Sequence, residues 1–565
     1  MRLKNVFKTY EPLDIYTYFN HCGIVDVKEY LKPKNKYCCN PMGFANMREA
    51  VNLYKYHLLG HDTIGILTDS DVDGYTSASL MYKYTKRYYN GIKVKLYLHE
   101  GKERGLDDDK VYEQILNDKL DLLIIPDAGS MKTGREQNII DNGTNLLVLD
   151  HHNANDSEDG VGGYIDCGVL VNNQLKENEC VDSKLSGCGV TYKFLKAMDA
   201  ELNIKYADNF IDLVGLSVLS DSMPLNDYEN RYYVEQLLST DAIKNKFLSE
   251  LIYQYADKSR LTIRDLSWTI IPKINSVIRS DDMAMKQNVM KALCEIKGTD
   301  YEGIAVKCGE FHKQQRKYVE EFIKRNMKEA IVGKNLILLL SNEIKRSYSG
   351  LVAGSISGRN GGKPTIVGKV GKDDIIGSFR GEGIDRQTLD AMDGFNWCRG
   401  HDTGAFGVNI KKGKEWEIAD AVDHLIVDFT PEEEVLQILP IDSIPYTLYG
   451  EFDALNGIVG TGLLCTNFGV VGLKVRPKDI QILKNNTVKI THNKIDIMFF
   501  RMTANKLEET FGIILDDDGK INYTNNDEVE FTIVGQLSKN VWKGRTTNQI
   551  IVDKYETRKA EDCFD

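Results

Sequence analysis

The sequence has 565 residues, of which 42% are hydrophobic and 27% are charged, a composition typical of a soluble chain with roughly three to four globular domains. Its net charge of −12 argues against a chain-wide affinity for nucleic acid or anionic membranes, although a local basic groove is compatible with it. Eleven cysteines without paired Cys-x-x-Cys sets indicate reduced thiols, and the lack of a signal peptide or a bilayer-spanning apolar run predicts a cytoplasmic protein.

The first predicted strand, Ile64–Leu67, leads into an acidic turn that is followed by a helical pattern. Asp69, Asp71 and Asp73 alternate along this turn, and three neighbouring carboxylates repel each other unless a cation lies between them. Oxygen ligands of this kind suit Mg²⁺, Mn²⁺ or Ca²⁺. An EF-hand is excluded because its twelfth loop position would be Leu80 rather than glutamate. A solvated acidic turn is the alternative interpretation.

Short apolar strands then alternate with helices along the chain. This alternation predicts a doubly wound parallel sheet of the α/β class, covered by helices on both faces, in which ligands bind at the carboxyl ends of the strands. The predicted strands after the first are Val94–Leu98, Leu122–Ile125 and Leu146–Leu149, and the predicted helices are Met47–Leu59, Tyr75–Tyr89, Asp108–Leu116 and Arg135–Ile140.

Further acidic residues and two histidines follow these strands. Asp127 comes after the third predicted strand, Asp150, His151 and His152 come after the fourth, and Asp221 ends an apolar helical run. Each residue alone is equally consistent with a helix cap or an exposed side chain. Three such groups at equivalent strand ends converge on one crevice, and carboxylates with an imidazole suit Mn²⁺, Zn²⁺ or iron. The sequence therefore predicts a metal site, which Asp221 completes if it folds back.

These motifs, in this order, resemble motifs I to IV of the DHH phosphoesterases, and most closely those of the RecJ-like single-strand-specific DNA exonucleases. The resemblance rests on the Asp-x-Asp-x-Asp-Gly run at 69–74, Pro126–Gly129, Asp150–His152 and Ser220–Leu225, with support from Leu185–Val190 and Asn230-Arg231. The chain departs from the family pattern at Ile278 and Arg399, each of which replaces a glycine.

The resemblance implies four domains. Residues 1–225 would form the DHH metal-binding domain, and residues 226–330, which lack strand signals, a helical connector. Residues 331–449, with glycine-rich and locally basic runs, would form the α/β DHH-associated domain that binds substrate. Residues 450–565, with several short strand patterns, would form an OB-like β-barrel.

The resemblance also implies roles for individual residues. Two ions, Mn²⁺ or Mg²⁺, would be held by Asp69, Asp71, Asp73, Asp127, His151 and Asp221. Asp69 could instead act as a base behind the ligands, Asp150 would orient a histidine, and His152 would contact the scissile phosphate. Arg104, Ser378 and Arg380 would anchor a terminal phosphate. The other substrate-binding residues would be Asn275, Arg279, His401 and Trp542.

The function expected from this resemblance is metal-dependent 5′→3′ hydrolysis of single-stranded DNA by a cytoplasmic monomer. A single-strand-binding protein or a helicase would be candidate partners. Two alternatives remain open: a phosphodiesterase for cyclic dinucleotides or short oligoribonucleotides, and a non-catalytic replication scaffold. The sequence leaves open the identity of the metal and the tolerance for RNA.

Overall fold

The computed structural model describes residues 2–559, apart from 89–90, 102, 154–166, 180, 183, 240–242, 258–260, 401–402, 426–431, 485, 517–520, 525–527 and 543. The chain divides into two compact units. The larger unit comprises residues 32–223 and 227–430, and the smaller unit comprises residues 1–31, 224–226 and 431–565. The four domain ranges expected from the sequence stay a prediction. Among the described helices, none is both long enough and apolar enough to cross a membrane.

A five-stranded parallel sheet forms the first part of the larger unit, which confirms the α/β fold with a parallel sheet. Its order is β2-β1-β3-β4-β5, and every neighbouring pair is parallel. Four strands lie within one residue of their predicted bounds, whereas β5 was not predicted. The strands are β1 (Ile64–Thr68), β2 (Val94–Leu98), β3 (Leu122–Pro126), β4 (Asn145–Asp150) and β5 (Val169–Asn172).

The strand order places one edge of this sheet in position to hold a ligand. All residues of β1 and β3 are buried, as expected for apolar runs that are covered on both faces. The chain crosses from β1 to β2 on one side and then to β3 on the other side, so the order reverses at β1. In open parallel sheets the crevice at such a reversal, beyond the carboxyl ends of the strands, is where ligands bind.

The helices of the larger unit flank this sheet, continue through residues 226–330, and flank a second sheet. No strand occurs among the described residues of 226–330. In chain order the helices are α1 (Met47–Gly60), α2 (Val72–Tyr88), α3 (Asp109–Asn117), α4 (Arg135–Asp141), α5 (Gly187–Leu202), α6 (Ile211–Ser220), α7 (Tyr228–Leu238), α8 (Lys246–Tyr255), α9 (Ile271–Ile278), α10 (Met283–Leu293), α11 (Tyr301–Asn326), α12 (Ser349–Arg359), α13 (Arg386–Asp390) and α14 (Glu415–His424).

The second sheet of the larger unit has six strands in the order β10-β11-β9-β8-β7-β6. Only β7 and β8 pair in parallel, and α12 connects them. The glycine-rich run at 350–358 lies within α12 and is helical. The strands are β6 (Ile331–Val332), β7 (Ile337–Ser341), β8 (Thr365–Val370), β9 (Asp374–Asp385), β10 (Phe395–Gly400) and β11 (Thr403–Lys411).

The smaller unit contains a seven-stranded sheet. In spatial order its strands are Ile438–Pro440, Asn467–Val475, Val529–Trp542, Arg545–Lys559, Ile495–Phe499, Thr487–His492 and Ile480–Leu483. Within the described part of the chain the two outer strands do not pair with each other, so the predicted closed OB-like barrel is not confirmed. The unit's helices are Ile15–His21, Val27–Leu31, Tyr446–Asn456 and Ala504–Phe511.

Two glycines test the packing of the unpredicted strand β5. Gly168 and Gly143 both have positive φ, so alanine at either should cost about 1 kcal/mol of backbone strain. A Cβ at Gly168 would also lie 2.8 Å from the Leu146 carbonyl oxygen, whereas one at Gly143 meets no atom within 4 Å. We expect G168A to lower the thermal midpoint clearly more than G143A. Equal shifts in a melting experiment would contradict the close approach of β5 to β4.

Candidate metal centre

The acidic turn after β1 places three carboxylates around the start of α2. Asp69 and Asp73 are buried, and Asp71 is half-buried. The Gly74 N–H donates to Asp71 Oδ1 at 3.1 Å. A Cβ on Gly74 would lie 2.6 Å from the Asp69 Cβ, so only glycine permits this tight turn. The Asp-Gly pair that closes the motif is thus required by packing.

Asp73 is held by the amino end of another helix. The backbone N–H groups of Gly187 and Cys188, at the start of α5, donate to its two carboxylate oxygens at 2.9 and 2.8 Å. The Ser217 hydroxyl of α6 donates to Asp73 Oδ1 at 2.5 Å. A helix amino terminus stabilises a negative charge, so Asp73 is fixed in place and kept suitable as an anionic ligand.

Asp127 follows β3 in a strained backbone conformation. Its φ of 67° lies in the left-handed region, and its N–H donates to the Leu149 carbonyl of β4 at 2.8 Å. Its Oδ1 atom is buried and accepts no well-aligned hydrogen bond from the described residues, although His151 Nε2 lies 3.2 Å away. A Cβ on Gly187 would lie 2.1 Å from this oxygen. The glycine therefore makes room for Asp127, and the strain is of the kind that clusters at functional sites.

His151 joins the carboxylates of three different elements. Its Nε2 atom lies 3.2 Å from Asp127 Oδ1, 3.5 Å from Asp221 Oδ2 and 3.9 Å from Asp73 Oδ2. The apolar helix α6 ends at Ser220, and Asp221 lies back at the sheet edge, which is the condition under which the sequence analysis expected it to complete the ligand set. One imidazole nitrogen thus faces three carboxylates, an arrangement that suits a metal ligand.

Asp150 differs from the other acidic residues because its carboxylate is occupied by hydrogen bonds. Its Oδ1 accepts the His151 and His152 N–H groups at 2.7 and 3.3 Å, and lies 2.8 Å from His152 Nδ1. Its Oδ2 accepts the Ser130 N–H at 3.0 Å. Burial alone would raise the pKa of Asp150, but these contacts hold it well below its usual value. Asp150 is therefore an ionised residue that orients the histidine pair.

The remaining carboxylates are electrostatically unfavourable neighbours. Burial raises the pKa of Asp69 to about 7, although Arg104 opposes the shift. Burial, and then repulsion from Asp73, raises the pKa of Asp127 well above its usual value. Burial also raises the pKa of Asp73 and of Asp221. A divalent cation among these carboxylates would offset both the cost of burying their charges and their mutual repulsion.

The geometry of the carboxylates fits divalent cations. Three groups have potential ligand atoms within 4.8 Å of one another. Asp69 Oδ1 and Asp127 Oδ1 are buried without a hydrogen-bond partner in the described part of the chain, as expected for oxygens that face an ion. The groups are Asp69, Asp71 and Asp127; Asp73, His151 and Asp221; and Asp127, Asp150, His151 and His152.

Two arginines lie beside these carboxylates. Arg104 Nε is 3.8 Å from Asp69 Oδ2, and Arg104 Nη1 is 3.2 Å from His152 Nε2. Arg279 follows α9, and its pKa is lowered by burial, while Asp71 acts in the opposite direction. Among the described residues Arg279 forms no ion pair, so its charge is available for an anion.

The second sheet brings Ser378 and Arg380, on β9, towards the same arginine. Burial, and then the neighbouring charge of Arg279, lowers the pKa of Arg380 to about 10. The Ser378 hydroxyl lies 2.9 Å from the hydroxyl of Ser349, the first residue of α12. A Cβ on Gly350 would lie 2.8 Å from Arg380 Nη2. The glycines of α12 therefore let the guanidinium pack against the helix start, where an anion is favoured.

For three of the predicted substrate-binding residues, the structure gives little or no contact geometry. Asn275 lies within α9, and its Oδ1 is buried without a partner among the described residues. His401 lies outside the described residues. Trp542 ends a strand of the smaller unit, and its side chain lies outside what the structure describes. Their roles stay predictions, as do those of the other site residues.

Several supporting residues were not singled out from the sequence. Ser217 precedes Asp221 by four positions on α6, so helical spacing was an available signal. The Asn172 side chain, at the end of β5, donates to Ser130 Oγ at 2.7 Å and to the His152 carbonyl at 2.9 Å. No sequence pattern pointed to Asn172, because β5 itself was not predicted.

Comparison with known proteins confirms the class indicated by this fold and site. Residues 63–217 match the model of the DHH family, N-terminal domain, a stretch that runs from β1 to Ser217. The resemblance to the DHH phosphoesterases, drawn from the sequence motifs, is thereby confirmed for this stretch.

Particular relatives agree with this class. The chain is 25% identical, over 98% of its length and 97% of the relative's, to a putative prophage-derived single-strand DNA-specific exonuclease, YorK, of Bacillus subtilis. It is 20% identical to the RecJ exonuclease of the same species, over 93% of this chain and 65% of that protein. The fold matches the crystal structure of Thermus thermophilus RecJ in complex with Mn²⁺, with a TM-score of 0.74, 18% identity, and 99% and 79% of the two chains covered.

Gly187 and Gly189 provide a matched test of the cluster. A G187A substitution would push a methyl group onto Asp127 Oδ1, whereas the nearest atom to a Cβ at Gly189 is an ordinary 3.4 Å away. We expect G187A to abolish most of the rise in melting temperature that Mn²⁺ causes, and G189A to retain it, since a ligand stabilises the fold that binds it. The same Mn²⁺-dependent shift in both variants would show that Asp127 takes no part in binding.

Proposed function

We propose that this protein is a metal-dependent exonuclease that hydrolyses single-stranded DNA from its 5′ end. The observation that carries the proposal is the convergence of five carboxylates and His151 at the carboxyl ends of β1, β3 and β4 and at the end of α6. All the acidic motif residues are present and close together, which favours an enzyme over a non-catalytic scaffold.

Two divalent ions fit the ligand groups. Asp69, Asp71 and Asp127 would hold one ion, and Asp73, His151 and Asp221 the other, with Asp127 near both. When bound, such ions activate a water molecule and neutralise charge on a phosphodiester. Crystal structures of Thermus thermophilus RecJ are described as complexes with Mn²⁺ and with Mg²⁺, which supports these two metals here.

The protein's own cations would hold the phosphate. Burial lowers the pKa of His152, but the Asp150 carboxylate more than reverses this and raises it to about 9. Arg104 Nη1 lies 3.2 Å from His152 Nε2, and because a guanidinium can only donate, the neutral ring accepts this hydrogen bond while its Nδ1 faces Asp150. When the ring is protonated, both side chains are donors, and a phosphate oxygen between them would accept from both. We assign His152 and Arg104 to the scissile phosphate.

A second anion site supports recognition of a strand end. Arg279 and Arg380 repel each other in a partly desolvated region, with the Ser349 and Ser378 hydroxyls beside Arg380. An unpaired cation cluster of this kind is stabilised by a phosphate. This cation cluster lies apart from the metal ligands, but Arg279 is close enough to Asp71 for the carboxylate to affect its pKa. We therefore propose that the cluster holds a terminal 5′-phosphate.

The smaller unit is proposed to hold the rest of the strand. The hairpin of Val529–Trp542 and Arg545–Lys559 carries the segment that resembles an OB fold, and such folds bind single strands by stacking and charge. Trp542 would supply a stacking ring. The expected monomeric state, the cytoplasmic location and the partners, a single-strand-binding protein or a helicase, stay predictions.

The substrate and direction are tested with labelled oligonucleotides and Mn²⁺. We expect mononucleotides to be released first from the 5′ end of single strands, and blunt duplexes to be cut far more slowly. Release that begins at the 3′ end would contradict the direction. Hydrolysis confined to cyclic dinucleotides or short oligoribonucleotides would favour the alternative phosphodiesterase.

Neutralising Asp127 separates catalysis from folding. D127N should slow hydrolysis by more than about a hundredfold, because a ligand near both ions is lost. The metal-free protein should melt at the same or a higher temperature, because burial and repulsion disfavour the Asp127 charge. D141N, at an exposed aspartate that ends α4, is the matched control and should keep full activity. An active D127N variant would rule out the metal centre.

We expect Arg380 to bind the 5′-phosphate of the strand. Losing one charged contact to a phosphate costs about 1.5–3 kcal/mol, so R380A should slow cleavage of 5′-phosphorylated strands about ten- to a hundredfold. Strands with a 5′-hydroxyl should be affected far less. R359A, which removes an arginine of the exposed Glu320 ion pair at the other end of α12, is the control. Initial rates at fixed salt measure both effects, and an equal loss on both substrates would show general backbone binding instead.

A further inference from the structure

A cleft of about 440 Å³ lies among α11, the turn after α9 and the residues that precede α12. The residues that line it include Asp281, Phe311, Gln315, Tyr318, Lys345 and Tyr348. None of these residues belongs to the metal centre or to the predicted substrate set. The cleft is therefore a separate feature of the larger unit.

Gln315 gives this cleft a polar group that a ligand would satisfy. Its side chain is only 7% exposed, and its Nε2 atom makes no well-aligned hydrogen bond with the described residues. The Gln315 amide also interacts with the Tyr348 hydroxyl, and this hydrogen bond lowers the pKa of Tyr348 against the larger rise that burial causes. An amide NH2 group carries two hydrogens, so one of them stays free for an acceptor on a ligand in the cleft, which would stabilise the buried group.

The walls of the cleft are aromatic and held in place. The rings of Tyr318 and Tyr348 meet edge to face, with centroids 5.2 Å apart. The Lys345 backbone N–H donates to the Tyr318 hydroxyl at 3.0 Å, and Lys345 Nζ lies 3.4 Å from Asp281. Phe311 is half-buried at the same cleft. Aromatic rings beside an amide donor are the groups with which proteins hold nucleobases.

The cleft adjoins the proposed end-binding residues at two points of the chain. Ser280, which lines the cleft, directly follows Arg279. Tyr348, on the other wall, directly precedes Ser349, whose hydroxyl contacts Ser378. A phosphate held by Arg279, Arg380 and Ser378 would therefore have the cleft next to it, within reach of the nucleoside that carries the phosphate.

We propose that this cleft binds the nucleobase of the 5′-terminal nucleotide, whose phosphate lies at Arg279 and Arg380; the proposal rests on the proposed function. Gln315 donates to a ring nitrogen or carbonyl oxygen of the base, and the aromatic side chains contact its face. Every nucleobase offers an acceptor and a π-face, so the cleft recognises the presence of a base and is tolerant of sequence.

The test compares ligands that differ only in the base. Calorimetry on the full-length, metal-free protein should show dAMP bound about tenfold more tightly than deoxyribose 5-phosphate, the scale expected of one stacked base. Q315M, which keeps the side-chain volume, and F311A should each remove most of this preference while leaving the affinity for deoxyribose 5-phosphate unchanged. Q254A, a glutamine on α8, is the control and should retain the preference.

Two further results separate this proposal from the proposed function. Equal affinity for the two ligands, or an unchanged preference in both Q315M and F311A, would overturn the cleft assignment even if the protein degrades DNA. Replacing only the 5′-terminal base of a strand by an abasic residue should raise KM in the wild type but not in Q315M. If no strand is hydrolysed while the preference for dAMP holds, the exonuclease assignment fails and the base site stands.

Discussion

The central constraint on this structure is the mutual repulsion of carboxylates that the fold holds close together in a buried crevice. Asp69, Asp73 and Asp127 are nearly inaccessible to water, and burial raises the pKa of each. Holding them there costs stability, because Asp127 adopts a left-handed backbone conformation. The close packing around the carboxylates also leaves no room for a side chain at Gly74 or Gly187. A divalent cation would turn this unfavourable cluster into a favourable one, and on this ground we propose that the fold is organised around a metal site.

Much of the metal centre could be predicted, because the local sequence pattern and the topology of a parallel sheet indicate the same positions for its residues. Apolar runs such as Leu122–Ile125 match buried parallel strands, and a carboxylate after each strand must lie at the shared edge of the sheet. For Asp221 the sequence left open whether it caps its helix or folds back to the site, and in the structure it lies 3.5 Å from His151. The family resemblance implied that Asp150 orients a histidine, but the individual hydrogen bonds of Asp150 with Ser130 and His152 could not be predicted from the sequence.

The rest of the larger unit was harder to predict because its contacts join distant segments. Val169–Asn172 is a four-residue strand that supplies Asn172 to the site, and so short a run carries no periodic signal. The glycines at 350–358 lie within a helix, and a Cβ at Gly350 would lie 2.8 Å from Arg380 Nη2, a close approach between segments that are distant in sequence. In the smaller unit the short strands were recognised, but strand pairing is non-local, and the open order of the described sheet was not foreseen.

The most direct test of the account is to locate and count the metal ions. Crystals of the full-length protein soaked in Mn²⁺ should show two anomalous peaks about 3.5–4 Å apart, one among Asp69, Asp71 and Asp127 and the other among Asp73, His151 and Asp221. Equilibrium dialysis should give the same stoichiometry, and D127N should lose at least one ion. Absence of Mn²⁺ from this crevice, or binding only elsewhere on the chain, would contradict the claim that the carboxylates are assembled to hold metal.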